Sequence, residues 1–165
     1  MLLPVYPGLR LGVRHRRASR PEFPGRSQRE DALERTAVAT PLSPAKLDIT
    51  SQCLRAGGFV FTAGVMPLDP DRRSLPSGGI VAQTHQAMRN LRALLQAAGS
   101  SLDRLVQVTI YLKDWADFDQ MNAVYVSYLN QPYPARACVE VRHIGDDAAL
   151  EIVAIGLAGG GGGAN

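Results

Sequence analysis

Residues able to do chemistry are few in this sequence, and they gather toward its C-terminal end. The octet "PARACVEV", Pro134 to Val141, places an arginine two residues past a proline at the head of a β-prone run. Side chains alternate sides along a strand, so Arg136, Cys138, Glu140 and Arg142 are expected on one face and Ala137, Val139 and Val141 on the other. The apolar set reads as core. The polar set reads either as a site or as the solvated face of an edge strand. Further on, "LEIVAIG" carries Glu151, the only carboxylate inside the last apolar run, between Leu150 and Ile152. An acid so placed either faces solvent or has a task. An arginine is a fixed cation and a carboxylate takes or gives a proton, so the pair offers ion binding and acid–base chemistry.

Other chemistries find little support. His15, His85 and His143 have no partner at metal-ligand spacing, so no metal is expected. There is no nucleophile elbow and no Ser/His/Asp order. "LDPDRR" lacks the alternating ligands and the glycine of a calcium loop. The run Gly159 to Gly163 resembles a phosphate loop in composition only, because no helix follows it to offer an anion-binding end.

The elements that must position Arg136 and Glu151 follow from changes of period along the chain. "CLRAGGFVFTAG" gives two short β-prone runs about Gly57 and Gly58, a two-glycine hairpin signal. From Ile80 to Ala98, Val81, Thr84, Met88, Leu91, Leu95 and Ala98 recur at helical spacing, and Gly99 stands where a C-terminal cap belongs. "LVQVTIYLK" alternates as a strand. Asp114 and Asp117 are placed to cap a second helix whose face carries Phe118, Met121, Tyr125 and Tyr128, ending before Pro132. Strands over 136–142 and 150–157 complete the order ββαβαββ. That order predicts an α+β fold, a mixed sheet with both helices on one side. The other sheet face is then left over, and neither side of "ARACVEV" or "LEIVAIG" is polar throughout. A homo-oligomer with sites at subunit boundaries is expected.

Length and composition bound the rest. The chain of 165 residues fits one domain plus tails, with 45% hydrophobic and 20% charged residues. Residues 1–42 hold Pro4, Pro7, Pro21, Pro24 and Pro41, scattered arginines and no sustained apolar period, and read as a disordered basic extension. Residues 43–158 are the expected domain and 159–165 a flexible glycine-rich tail. Residues 1–40 carry eight Arg against four acids, whereas residues 41–165 carry ten Lys or Arg against eleven acids. The positive excess therefore lies in the extension, and the domain offers no charge reason to bind nucleic acid or an anionic membrane. Two cysteines without C-x-x-C spacing point to a reducing compartment. No segment approaches the roughly 18 apolar residues of a membrane span. A soluble cytoplasmic protein is expected, or one of an organelle matrix if the basic extension is a transit peptide.

Four blocks carry a family resemblance: "SQCLRAGGFVFTAGVMPLDP", "AQTHQAMRNLRALLQAAGSSLDRLVQVTIYLKD", "DFDQMNAVYVSYL", and "PARACVEV" followed by "LEIVAIG". In order and spacing, over roughly residues 50 to 157, they resemble the RidA/YjgF family of enamine/imine deaminases. The resemblance implies a chorismate mutase-like fold and a homotrimer with sites between subunits. It also implies hydrolysis of reactive 2-imino acids to 2-keto acids and ammonia without metal or cofactor. It places Arg136 on the family's carboxylate-binding arginine, Cys138 on a residue lining the same pocket, and Glu151 on the acid that positions or activates water. Gly64 matches the glycine of the family's "TSG", whose serine is Ala63 here, and the tyrosine of its "YSQ" is Thr50. Those two departures imply a larger, drier pocket wall. They also leave open a non-catalytic trimer that binds small carboxylates, or a member of the endoribonuclease or translation-inhibitor type.

Overall fold

The computed structural model describes residues 34–44 and 49–159. Eight elements carry the architecture: β1 (Thr36–Val38), β2 (Cys53–Ala56), β3 (Phe59–Thr62), α1 (Gly79–Ala97), β4 (Leu105–Leu112), α2 (Phe118–Val126), β5 (Ala135–Glu140) and β6 (Leu150–Leu157). The strands form one sheet in the order β1-β2-β3-β6-β4-β5. Only β4 and β5 run parallel, as expected of strands joined by a helical crossover, here α2. The last strand, β6, inserts between β3 and β4 and is antiparallel to both.

Both helices cover the same sheet face. Val60, Val108, Ile110, Leu112, Leu150 and Ile152 point into one cluster with Met88, Leu91, Leu95 and Met121, all fully buried. The expected helical stripe on α1 holds from Thr84 onward, but Val81 is exposed and its neighbour Ile80 takes the buried place. The chain leaves α1 through a paired glycine cap: the Gly99 N–H bonds Gln96 O at 2.9 Å and the Ser100 N–H bonds Leu95 O at 2.8 Å. Gly99 has φ 71°, a conformation glycine adopts without strain. The β2–β3 hairpin turns at Gly57 and Gly58, both at positive φ (56° and 83°), the geometry that makes a two-residue turn match strand twist.

Three sequence expectations need correction. First, the fold has one strand more than ββαβαββ. Thr36–Val38 lie within the stretch read as disordered extension, yet they pair with Cys53–Arg55. The Gln52 side chain ties the following loop down, accepting from the Thr40 N–H at 2.7 Å and donating to the carbonyls of Thr40 (3.2 Å) and Ser43 (2.7 Å). Three residues are too few to show a period, so the strand exists because an edge and a glutamine are there to receive it. Residues 1–33 lie outside the described residues. Second, Gly159, read as the first residue of a flexible tail, bonds Gly99 O at 2.6 Å; residues 160–165 are outside the described residues. Third, Ala137 and Val139 are exposed rather than core, and Cys138 packs toward the core instead. The in-register partners of Arg136, Cys138 and Glu140 are Val108, Ile110 and Leu112, so the polar set of β5 shares the helix-covered face.

The opposite sheet face carries no helix. Phe59, Phe61, Val139, Val153, Ile155 and Leu157 stand on it, and Phe59, Phe61, Val139 and Leu157 are between 37% and 42% exposed. Among the described residues no helix is long and apolar enough to cross a membrane. Cys53 and Cys138 are both free thiols.

Candidate functional site

Arg136 sits near the start of β5 at the open edge of the sheet, over one face of α2. Phe118, Asn122 and Tyr125 follow one another at helical i, i+4, i+7 spacing and so share that face. A guanidinium nitrogen of Arg136 donates to Asn122 Oδ1 at 2.6 Å. Its central carbon lies 5.1 Å from the centroid of the Tyr125 ring and 5.7 Å from that of Phe118, cation–π distances. Among the described residues Arg136 has no ion-pair partner. Glu140, on the same face, accepts from the Trp115 N–H at 3.2 Å, while Asp114 accepts from the Ala116 N–H at 2.9 Å, so these two acids shape the turn into α2. Asp117, the other expected cap, makes no side-chain cap bond. Burial pushes the Cys138 thiol up, against an opposing pull from Arg136, which leaves it protonated and poorly nucleophilic. Tyr125 is pushed up to about 12 by burial, so it is a neutral phenol, and its hydroxyl is buried without a hydrogen-bond partner.

Glu151 occupies different ground. Its register partner is Tyr111, and its neighbours Leu150 and Ile152 face the core, so Glu151 points from the face without helices. It lines a cavity of about 260 Å³ together with Ser43, Thr50, Gln52, Ala63, Gly64, Val65 and Met66. The half-buried carboxylate has no hydrogen-bond or ion-pair partner among the described residues, and desolvation raises its pKa above the ordinary value near 4.5. The cavity thus carries on its wall a half-buried, unsatisfied proton acceptor, with room for a small molecule and a water beside it.

Gly64 explains how the carboxylate comes so close to the backbone. A Cβ on Gly64 would stand 1.8 Å from Glu151 Oε1 and 2.5 Å from its Cδ. The backbone of Gly64 is not at positive φ, so alanine is conformationally acceptable there and only the carboxylate must yield. Gly64→Ala is therefore expected to keep the fold, with a melting free energy within about 1 kcal/mol of wild type. Any reaction that depends on Glu151 should fall by about a hundredfold, since a 1 Å displacement of a reacting group has that effect. Thermal melts alongside turnover check both halves, and full turnover in the variant would refute the role given to the contact.

The structure thus brings Thr50, Ala63, Gly64 and Glu151 together and leaves Arg136 and Cys138 elsewhere. β4 separates β6 from β5, and the Glu151 and Arg136 register positions on β4, Tyr111 and Val108, are offset along it. Two strand spacings across and three residues along put the two Cα atoms roughly 14 Å apart, with side chains on opposite faces. Sequence reasoning missed Asn122, Gln52 and Asn90. The last is buried and donates to the carbonyls of Met66 (2.9 Å) and Leu68 (2.8 Å), pinning the segment that leaves the cavity. A polar residue on an apolar helical stripe is the signal that would have found Asn90 and Asn122.

A six-stranded mixed sheet with two helices on one face, an edge-strand arginine and a glycine-backed strand glutamate define a small α+β protein of recognisable kind. Residues 42–158 match the family described as endoribonuclease L-PSP. The chain belongs to this family, the RidA/YjgF family. It is 42% identical over 118 residues to a RutC family protein of Pyrococcus horikoshii, covering 72% of this chain and 94% of that one. It is 33% identical over 123 residues to the 2-iminobutanoate/2-iminopropanoate deaminase of Escherichia coli, covering 73% and 95%. Among solved structures, E. coli TdcF with bound serine superposes with a TM-score of 0.70 at 29% identity, covering 75% of this chain and 99% of that one.

Proposed function

We propose that this protein hydrolyses 2-imino acids, and their enamine tautomers, to 2-keto acids and ammonia, at sites completed by two copies of the chain within a homotrimer of chorismate mutase-like architecture. The observation that carries the reading is the separation of Arg136 from Glu151. Each is poised for one half of the reaction, yet one small substrate cannot touch both in a single chain. The apolar sheet face without helices supplies the surface on which a second copy packs, and burying it is favourable at about 25 cal/mol per Å².

In the reaction, Arg136 holds the substrate carboxylate through the two parallel hydrogen bonds that a planar guanidinium can donate. Glu151, ionised, takes a proton from water as the water oxygen bonds to the carbon of the protonated imine, and the C=N π pair becomes the nitrogen lone pair of a neutral carbinolamine. Glu151 then returns that proton to the nitrogen, the C–N bond pair leaves with ammonia, an oxygen lone pair closes the C=O bond, and the hydroxyl proton passes to the freed Glu151 carboxylate and from there to ammonia or solvent. Water in and ammonia out balance the step. The imine carbon is already electrophilic, so positioning and one acid–base group suffice. The neutral thiol of Cys138 lines the pocket without attacking. Thr50 and Ala63, standing on cavity walls where the family has tyrosine and serine, widen and dry the space and favour a bulkier side chain on the imino acid. Free Cys53 and Cys138 suit a reducing setting such as cytoplasm or an organelle matrix. The names borne by the E. coli deaminase and by TdcF with bound serine, a small carboxylate, support this reading.

Hybrid trimers test the shared site. Arg136→Ala and Glu151→Gln are each expected to be inactive, but co-expressed they should regain up to about a quarter of wild-type activity, because random assembly leaves that share of sites with one intact arginine and one intact glutamate. Recovery absent from a co-purified hybrid, or a full-length chain that weighs in solution as a stable monomer, refutes the two-chain site.

A further inference from the structure

We infer that Asn122 is a positioning residue for carboxylate capture: it fixes the rotation of the Arg136 guanidinium while, being neutral, it leaves the cation's charge free for the substrate. The inference rests on the proposed role of Arg136 as the clamp.

The surroundings of Arg136 are unusual for a cation at a sheet edge. Its one hydrogen-bonded side-chain partner among the described residues is an uncharged amide, at 2.6 Å. Its other close neighbours are the rings of Tyr125 and Phe118. The nearby acid on its own strand face, Glu140, is engaged with the Trp115 backbone. A hydrogen bond to an amide oxygen and two aromatic faces together orient a guanidinium without neutralising it. A carboxylate at position 122 would orient it as well and would discharge it.

The platform is rigid. Tyr125 is 4% exposed, and Met121 and Val124 on either side of Asn122 are buried, so α2 cannot turn to relax the contact. Trp115 stacks on Phe118 at 4.8 Å between centroids, buttressing that ring. The guanidinium has five N–H donors in a fixed fork. With one of its nitrogens committed to Asn122, the rest of the fork is held in a single orientation as a carboxylate arrives. Less freedom then remains to be lost on binding.

This role separates from a merely structural one by the order of two variants. Asn122→Asp keeps size and shape and accepts the same hydrogen bond more strongly, so a structural role makes it the mild substitution. A positioning role that depends on neutrality makes it the severe one, because the new carboxylate competes with the ligand for the same fork. Asn122→Leu keeps the volume and the free charge and removes only the acceptor.

The experiment titrates the full chain with pyruvate, a small 2-keto carboxylate, by calorimetry, with melting curves for each variant and Arg136→Ala as the reference for lost binding. Asn122→Leu is expected to weaken pyruvate by about tenfold, the effect of losing one charge-assisted bond. Asn122→Asp should weaken it by about a hundredfold or more, with its melting temperature at or above that of Asn122→Leu. Asn122→Asp binding pyruvate as tightly as wild type, or more tightly than Asn122→Leu, overturns the inference. A measurement on the unaltered protein stands beside the variants: nitrogen-15 NMR should show two distinct terminal nitrogen environments for the Arg136 guanidinium before pyruvate is added. A single rotationally averaged signal overturns pre-orientation. If Arg136→Ala binds pyruvate like wild type, it is the clamp itself, and with it the proposed function, that falls.

Discussion

Replacing Arg136 by lysine is expected to remove the proposed imine hydrolysis nearly as completely as replacing it by alanine, by about a hundredfold or more in each case. Lysine keeps the charge, which is why the comparison is informative. Its ammonium is a point donor at the end of a flexible stem, whereas the guanidinium is held between Asn122 and the rings of Phe118 and Tyr125 with the rest of its fork outward. Without two parallel bonds the carboxylate loses its register and the C=N carbon drifts from the attacking water. The measurement generates 2-imino acids of several side-chain sizes in situ with an amino-acid oxidase and follows their decay above spontaneous hydrolysis. Lysine restoring more than about a tenth of wild-type turnover would show that charge alone suffices. A wild type that never exceeds the baseline for any side chain, while still binding carboxylates through Arg136, would replace the enzyme with a carboxylate-binding trimer. In that outcome Thr50 and Ala63 become the residues that mark the lost activity.

Glu151→Gln is expected to abolish turnover, by about a thousandfold, the upper range for a positioned acid–base group, while leaving carboxylate binding within a few-fold of wild type. Glu140→Gln should change turnover little, because Glu140 is occupied in accepting the Trp115 N–H and an amide oxygen accepts that bond too. The pH profile carries a second mark. Burial raises the Glu151 pKa above its usual value, so the ascending limb of activity should lie above the range of an ordinary glutamate and vanish in the glutamine variant. Stability has the opposite sense. An acid whose pKa is higher folded than unfolded holds more protons in the folded state, so stability is lost as pH rises from the ordinary value through the raised one. Glutamine cannot ionise, and Glu151→Gln should therefore melt at or above the wild-type temperature at neutral pH. A variant that is both fully active and less stable at pH 7 would mean that Glu151 is structural.

Arg136, Cys138 and Glu151 stood out by residue type and place in β-prone runs, whereas Gly64, Thr50 and Ala63 were singled out by the family resemblance alone, and the arrangement of these candidates was not legible. The long helix, its Gly99 cap and the Gly57–Gly58 hairpin follow from local backbone preference. Alternation also placed Arg136 and Glu140 correctly on one face of β5. It assigned the wrong faces to core and surface there, because period shows which side chains agree with one another and not what lies opposite them. What covers a face depends on where β5 pairs, and its parallel place beside β4 beneath α2 is a long-range outcome.

The extra strand β1 and the glutamine that anchors its loop escaped for a similar reason, since three residues at an edge are recruited by the sheet and carry no period of their own. The same holds for Asn122, whose meaning appears only once Arg136 lies across α2. Local chemistry, recorded in single residues and short spacings, thus came from the sequence alone: one fixed cation, one strand carboxylate and an apolar sheet, whereas the close approach of Glu151 to Gly64 appears only in the structure. Which sheet face each group occupies was decided by tertiary structure. The insertion of β6 between β3 and β4 sets Glu151 on the face opposite Arg136 and two strands away, and strand pairing across such distances in sequence is a property of the whole packed chain.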